Sequence, residues 1–234
     1  MTDINFSFTQ AYEDLKSEVN QRAGLESNSL ELEKALQSDS SLHRHARMLR
    51  HVRDIRNLLQ HPNHDAKAAA VLVSKPFLQR VRNLVEALRN PPTASSMSVP
   101  RSKLYTVKLT DKIGDVAEVM QSRKWSHVPI LDEKDVVIGV FNEAAIFDYF
   151  WTDDVIDARR DMPIKDIERH CSLDARHTET FEFVRPSMRE DEIIAVFTKI
   201  GGDLTRVGAV FVTPSGKPTE PITGMITPWD VLAR

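Results

Sequence analysis

Two stretches of this chain, VIGVFNEAAIFDYF (residues 137–150) and ITGMITPWDVLAR (222–234), carry the same order of features. Each is an apolar run interrupted by glycine and followed by helix-like sequence, and the two glycines, Gly139 and Gly224, lie 85 residues apart. Upstream, Val128-Pro-Ile-Leu131 matches Ala209-Val-Phe-Val212 once the second turn, TPSGKPTEP, is allowed four extra residues. A unit of strand, helix, two strands and helix is too short to bury a sheet face alone. Two copies must therefore pack on each other.

The rest of the second half fits that unit. Tyr105–Leu109 alternates as a strand, Ile113–Met120 reads as a helix, and His127–Leu131 and Val136–Phe141 read as strands about the turn Asp132–Asp135. Ala144–Phe150 is helical. The order returns with a strand over Phe181–Val184, a helix over Asp191–Ile200, strands over Val207–Val212 and Ile222–Ile226, and a last helix from Pro228.

The first ninety residues follow a different period. Met48, Val52, Ile55 and Leu59 line one helical face. Leu15, Val19, Leu30, Leu32 and Leu36 mark two earlier helices broken near Gly24, and Phe77, Val81, Leu84, Val85 and Leu88 a fourth, opened by Pro76 and stopped before Pro91-Pro92. Four such helices make a small bundle. NPPTASSMSVPRS (90–102) has no period and reads as a linker. The fold class expected is α+β, an N-terminal four-helix bundle followed by a tandem βαββα pair, with domains at 1–95, 101–157 and 163–234.

Composition narrows the class. A 41% hydrophobic and 28% charged chain of net charge −3 has neither the basic excess that attaches proteins to nucleic acid nor a run near the ~20 apolar residues of a membrane helix. The opening MTDINFSFTQ lacks a signal-peptide pattern, and a single cysteine, Cys171, excludes an internal disulfide. A cytoplasmic location is expected. Charge is uneven: residues 1–41 sum to −5 and 42–95 to +7, with five of the eight histidines in the second stretch. The basic stretch is either a locally basic surface or a partner for the acidic first helices.

The WSHVPILDEKDVVIGVF block (125–141) and GMITPWDVL (224–232) resemble the CBS domain, and two in tandem are similar to the paired regulatory module called a Bateman module. The resemblance covers residues 101–234. It implies binding of an adenosine-containing ligand (AMP, ADP, ATP, S-adenosylmethionine or NAD) in a cleft between the two copies, with the ribose on the aspartate of the last motif. By that resemblance Asp230 takes the ribose and Thr227 faces ribose or phosphate, in a site built around Gly224, with Val207 and Ala209 bordering the base and Arg206 within reach of phosphate. The residue types suit the work, since a carboxylate accepts both hydrogens of a diol and a hydroxyl donates to phosphate oxygen. Thr-Pro-x-Asp is equally a helix start, with Thr227 as N-cap and Pro228 at the first helical position. The first copy departs from the pattern: Asn142 stands in place of the threonine and Ala145 in place of the aspartate. A single competent site per chain, in the C-terminal copy, is expected.

Other residues carry bland readings beside functional ones. Trp125 and His127 precede the first Val-Pro strand, and Trp125 reads as packing between modules. His170, Cys171 and His177 lie in one polar connection, but three scattered ligands without a fourth do not make a closed zinc site. No metal is expected.

In the helical half, Arg56-Asn57-Leu58-Leu59-Gln60-His61 resembles the signature of HEPN domains, many of which are metal-independent, dimeric ribonucleases. The resemblance implies Arg56 on phosphate charge and His61 in proton transfer, chemistry those side chains can do. On an unbroken helix the two would lie about 140° apart, so convergence needs a bend at Pro62 or a second subunit. The structural alternative has Arg56 capping a helix or pairing with an acid from the first or second helix, and His61 hydrogen-bonding at a helix end. Taken together, the resemblances imply a homodimeric sensor whose CBS pair binds an adenine nucleotide and passes a conformational change to the helical domain. The alternatives are a nucleotide-gated ribonuclease acting on RNA and an interaction scaffold.

Overall fold

The helical period of the first ninety residues is realised as α1 (Ile4–Ala23), α2 (Leu32–Ser38), α3 (Ala46–Gln60) and α4 (Lys75–Arg89), with a 3-10 helix at Ser40–His45 leading into α3. The computed structural model describes residues 4–26, 30–60, 72–152, 160–174, 179–198 and 205–232. The termini of these helices follow from local chemistry. Gly24 closes α1 in the left-handed region at φ 65°, where glycine carries no steric penalty. Ser74 opens α4 by accepting from the Phe77 N–H at 3.3 Å, with Pro76 in the first turn, where its missing N–H costs nothing. Phe8, Leu15, Val19, Leu49, Val52 and Val81 are fully buried in one core. Each contributes about 1.5–3 kcal/mol by leaving water.

The uneven charge is partly met inside this unit. Arg50 pairs with Glu33 at 2.9 Å, Arg53 reaches the same carboxylate at 3.6 Å, and Arg89 pairs with Glu18 at 2.9 Å. Basic α3 and α4 are thus matched against acidic α1 and α2. These pairs are exposed and individually weak; two carboxylates offset part of the local excess.

The chain divides into two compact units, Met1–Pro91 and Pro92–Arg234. The second begins with α5 (Ala94–Met97) and β1 (Val99–Pro100), followed by α6 (Ile113–Arg123), the hairpin β2 (His127–Leu131) and β3 (Val137–Asn142), and α7 (Glu143–Thr152). After α8 (Glu168–Cys171), the second copy runs β4 (Glu179–Val184), α9 (Glu190–Thr198), β5 (Arg206–Val212), β6 (Gly224–Ile226) and α10 (Pro228–Leu232). The expected strand at Tyr105–Leu109 contracts to a single parallel bridge, Val107 to Ile130.

The segment read as a linker is part of the second copy. Ala94 and Met97 are buried in its core with Val184, Ile193, Val210 and Ile226, and β1 pairs antiparallel with β6 at the edge of a β1-β6-β5-β4 sheet. Proline and serine suit this role: Pro100 lies on an edge strand, where a missing donor is tolerated, and the Ser96 hydroxyl accepts from the Thr93 N–H at 3.0 Å to close the start of α5. The exchange is reciprocal. Ser172, just before the second copy, bridges antiparallel to Gly139 in β3 of the first. Between the copies, Leu131, Val137 and Val140 share one apolar core with Ala209, Phe211, Ile222 and Met225. The packing of one copy on the other, required by their small size, is present.

Both repeat glycines acquire a reason. A Cβ on Gly139 would stand 2.6 Å from the Cys171 carbonyl oxygen, and one on Gly224 would stand 2.5 Å from Ser98 Oγ and 2.8 Å from Ser98 Cβ. Gly224 makes room for the segment that enters β1, and Gly139 for the end of α8, ahead of the second copy.

Candidate functional site

Strand β6 ends at Ile226, and α10 begins two residues later, leaving Thr227 at the junction. The Thr227 N–H donates to Asp230 Oδ2 at 2.8 Å, and the Thr227 hydroxyl donates to the same oxygen at 2.7 Å. The helix-start reading therefore holds with its direction reversed. The carboxylate three residues on reaches back to the N-cap N–H, which is the returning half of a capping box. Asp230 Oδ2 is fixed by two donors, while Oδ1 accepts nothing from the described residues. One lone-pair-rich oxygen is thus held in place and left open to a ligand.

These two residues line a cleft of about 390 Å³ between the copies, within the size range of small-molecule sites. Trp125 and His127 enter it from the first copy, and Val99 and Tyr105 from the segment ahead of that copy. Trp125 stacks on Tyr105 with ring centroids 5.9 Å apart and planes at 30°, yet it remains 41% exposed. It packs and also offers a ring to the cleft. Burial, reinforced by Asp111 and Asp115, pushes the Tyr105 phenol above its ordinary value, so it stays a neutral donor.

The remaining residues assigned to the nucleotide do not line this cleft. Gly224 is buried under β1, Val207 and Ala209 lie in apolar cores, and Arg206 is exposed at the start of β5. The reason is position in the sheet: β5 lies between β6 and β4 and is buried from Val207 to Val212 on both faces. The cleft wall comes instead from the first copy's own β2 entrance. Tyr105 and Lys103 belong to no recognisable motif, and only the fold brings them to Asp230.

The first copy fills the corresponding position differently. Asn142 Oδ1 accepts from the Ala145 N–H at 2.8 Å, and its amide donates to Glu179 Oε2 at 3.4 Å. The same carboxylate oxygen lies 2.7 Å from His127 Nε2. Because an ionised carboxylate only accepts, that nitrogen carries a hydrogen, and Ser126 Oγ sits 2.8 Å from Nδ1. Asn142 and Ala145 are both buried. Gly208 accommodates the pair, since a Cβ there would lie 2.9 Å from His127 Nε2. A polar link between β2 and β4 therefore stands beside Asn142, where the second copy carries its Thr227–Asp230 pair.

Arg56 sits over the Tyr12 ring at 5.3 Å and donates to Asn57 Oδ1 at 3.3 Å. Its Nε is buried without a hydrogen-bond partner. The guanidinium thus lies on a ring of α1 and on its neighbour Asn57, rather than on an acid of the first two helices. His61 lies outside the described residues, as does His177. His170 is buried with Nδ1 2.6 Å from Asp148 Oδ2, and burial, with Glu168 adding, pushes the Cys171 thiol up to about 12. Among the described residues no group of three or more His, Cys, Asp or Glu side chains is placed to hold a metal, and no helix is long and apolar enough to cross a membrane.

Residues 96–152 match the CBS domain family. That match covers the first copy; with the repeated βαββα unit and the interleaved sheets, it defines the C-terminal unit as a CBS-domain pair following an N-terminal region of four helices. Similar solved structures include CBSX2 from Arabidopsis thaliana, 17% identical over 62% of this chain and 94% of that one, with a TM-score of 0.44. A structure of CBSX2 in complex with AMP is 16% identical over 61% and 94%, also at 0.44. A hemolysin-like CBS protein from Oenococcus oeni is 20% identical over 67% and 96%, at 0.42. No curated protein matches the chain.

Proposed function

We propose that this protein is a regulatory sensor that binds an adenosine-containing ligand in the cleft between its two CBS copies. The observation that carries the reading is the meeting of Thr227 and Asp230 with the Tyr105–Trp125 stack in one cleft. Asp230 Oδ1 is the acceptor for the ribose diol, held in position by the two bonds to Oδ2. The Trp125 ring is the surface for the base. Residue types and spacing match the CBS pattern in the second copy and depart from it in the first, so one ligand binds per chain.

The route of transmission runs through β1. Val99 lines the cleft and belongs to the segment that leads from the helical unit into the β6 edge. A ligand that fits one pose of this strand better than another shifts the population of poses, and the chain carries the change toward α4. A second copy of the chain is the partner we assign to α7, on which Phe147 and Trp151 are 68% and 80% exposed and stacked on each other. Light scattering that returns a monomer mass at micromolar concentration would remove that part.

Calorimetry with AMP, ATP, S-adenosylmethionine and NAD tests the core of the proposal. At least one ligand is expected to bind with a stoichiometry of one per chain, and Asp230→Ala is expected to weaken it about a hundredfold, the loss of two hydrogen bonds to a charged acceptor. Absence of heat with all four, or a full affinity in Asp230→Ala, overturns the reading.

A further inference from the structure

The repeat places His127 and Gly208 at the same position. Each stands immediately before a matched strand run, Val128–Leu131 in the first copy and Ala209–Val212 in the second. In the folded chain these two equivalent positions meet. A Cβ on Gly208 would lie 2.9 Å from His127 Nε2 and 3.0 Å from Glu179 Oε2. Two side chains do not fit there, so one copy carries an imidazole and the other a glycine. Backbone conformation is not the reason, since Gly208 has no positive φ.

The imidazole crosses from the first copy to the second. His127 belongs to β2, and its side chain, 9% exposed, meets Glu179 on β4 at 2.7 Å and the Phe181 ring edge-on at 6.0 Å. Asn142, the ladder partner of His127 on β3, adds its amide to the same carboxylate oxygen at 3.4 Å, and its own Oδ1 holds the start of α7. Strands of both copies thus converge on one carboxylate oxygen. Such a bond to a charged acceptor, sheltered from water, is stronger than a neutral one at the surface. Ser126 and His127 also line the cleft that holds Asp230, whereas none of the described β4 or β5 residues does.

We infer that Glu179 is a positioning residue for the ligand of the cleft: through His127 it latches the wall formed by Ser126 and His127 at the spacing from Thr227 and Asp230 that binds. The inference rests on the ligand site proposed above and names how that site is held. The apolar core shared by the copies attracts without direction, while the His127–Glu179 bond is directional and sets the pose of one copy on the other. A ligand that needs Asp230 and the Ser126–His127 wall together binds the latched pose, so its apparent affinity scales with the fraction of chains in which the latch is made. By linkage the ligand in turn tightens the latch, and β4 with it.

The test titrates AMP, ATP, S-adenosylmethionine and NAD into the full chain and carries the tightest of the four into variants. Glu179→Ala is expected to weaken it about tenfold, although no group has left the cleft. Glu179→Gln, which keeps an acceptor for His127 Nε2, is expected to stay within about threefold of the wild type. Gly208→Ala presses a methyl group against the His127–Glu179 contact from the second copy; it is expected to weaken the ligand about as much as Glu179→Ala and to add nothing in that background. Should Glu179→Ala not fold, Gly208→Ala against Glu179→Gln carries the comparison. Hydrogen exchange gives a second readout: the bound ligand is expected to slow the amides of Glu179–Val184 in the wild type and not in Glu179→Ala. Wild-type affinity in Glu179→Ala and Gly208→Ala, or β4 amides unmoved by a bound ligand, overturns the latch and leaves the ligand site standing. Glu179→Gln as weak as Glu179→Ala overturns it too, because the acceptor is then not what positions His127. Binding of none of the four overturns both.

Discussion

At the scale of single residues, glycines and one arginine show how the same letter takes its meaning from its neighbours. Gly139 and Gly224 adopt ordinary backbone angles and are required by close approach, not by conformational freedom. Gly139→Ala is expected to cost about 1–3 kcal/mol by overpacking, since the atom it meets is the Cys171 backbone carbonyl. Gly224→Ala meets Ser98 Cβ at 2.8 Å and the Val99 carbonyl oxygen at 3.1 Å, which no side-chain rotation removes, so a cost of similar size is expected; an unchanged urea midpoint for either variant would refute this account. Cys171 supplies a pH test. Its thiol is raised from 9.0 to about 12 by burial, so the folded state keeps a proton that the unfolded state releases. Stability from this group is complete below pH 9 and is lost as pH rises toward 12. Cys171→Ala should flatten that alkaline limb, and a limb of unchanged slope would exclude the thiol as its source. Arg56, read from its spacing to His61 as a candidate phosphate ligand, lies against Tyr12 instead. Arg56→Ala is expected to lower stability by about 0.5–1 kcal/mol, the worth of a partly exposed cation–π contact.

Among the elements, β1 and α5 are where sequence and structure part most. A short aperiodic run rich in proline and serine carries every local mark of a linker, because its burial depends on Val184, Ile193 and Ile226, which lie about a hundred residues downstream. Met97 alone should be worth about 2–5 kcal/mol when truncated to alanine. A fragment starting at residue 92 is therefore expected to fold cooperatively, and one starting at 101, which lacks α5 and β1, to be markedly less stable or insoluble. Equal denaturation midpoints for the two would mean that β1 contributes nothing. Strands β2, β3 and β5, by contrast, are legible to within a residue, since local period and turn chemistry specify them.

For the whole molecule, separate cores in the two units make the CBS pair thermodynamically distinct. If occupancy of the cleft is transmitted to the helical unit, linkage requires that the helical unit in turn alter affinity for the ligand. The isolated 92–234 pair is then expected to bind with an affinity differing at least about fivefold from that of the full chain. Identical affinities would leave a binding module without coupling. The opposite net charges of the first and second stretches of the helical unit meet in part: Arg50, Arg53 and Arg89 pair with Glu33 and Glu18.

The repeat, the four helices and the placing of Thr227 and Asp230 at the last strand-to-helix junction follow from the sequence by itself, because period, turn residues and short-range spacing are local properties. Which residues face Asp230 across the cleft is decided only by the tertiary structure. Tyr105, Lys103 and Lys124 share the cleft with Asp230 because β1, ahead of the first copy, pairs with β6 of the second and the two copies pack on one apolar core, which brings residues some hundred positions apart onto one wall. The inner place of β5, between β4 and β6, buries Val207 and Ala209 on its two faces. No local pattern encodes that exchange; it is set by the need of two small sheets to bury each other's open face.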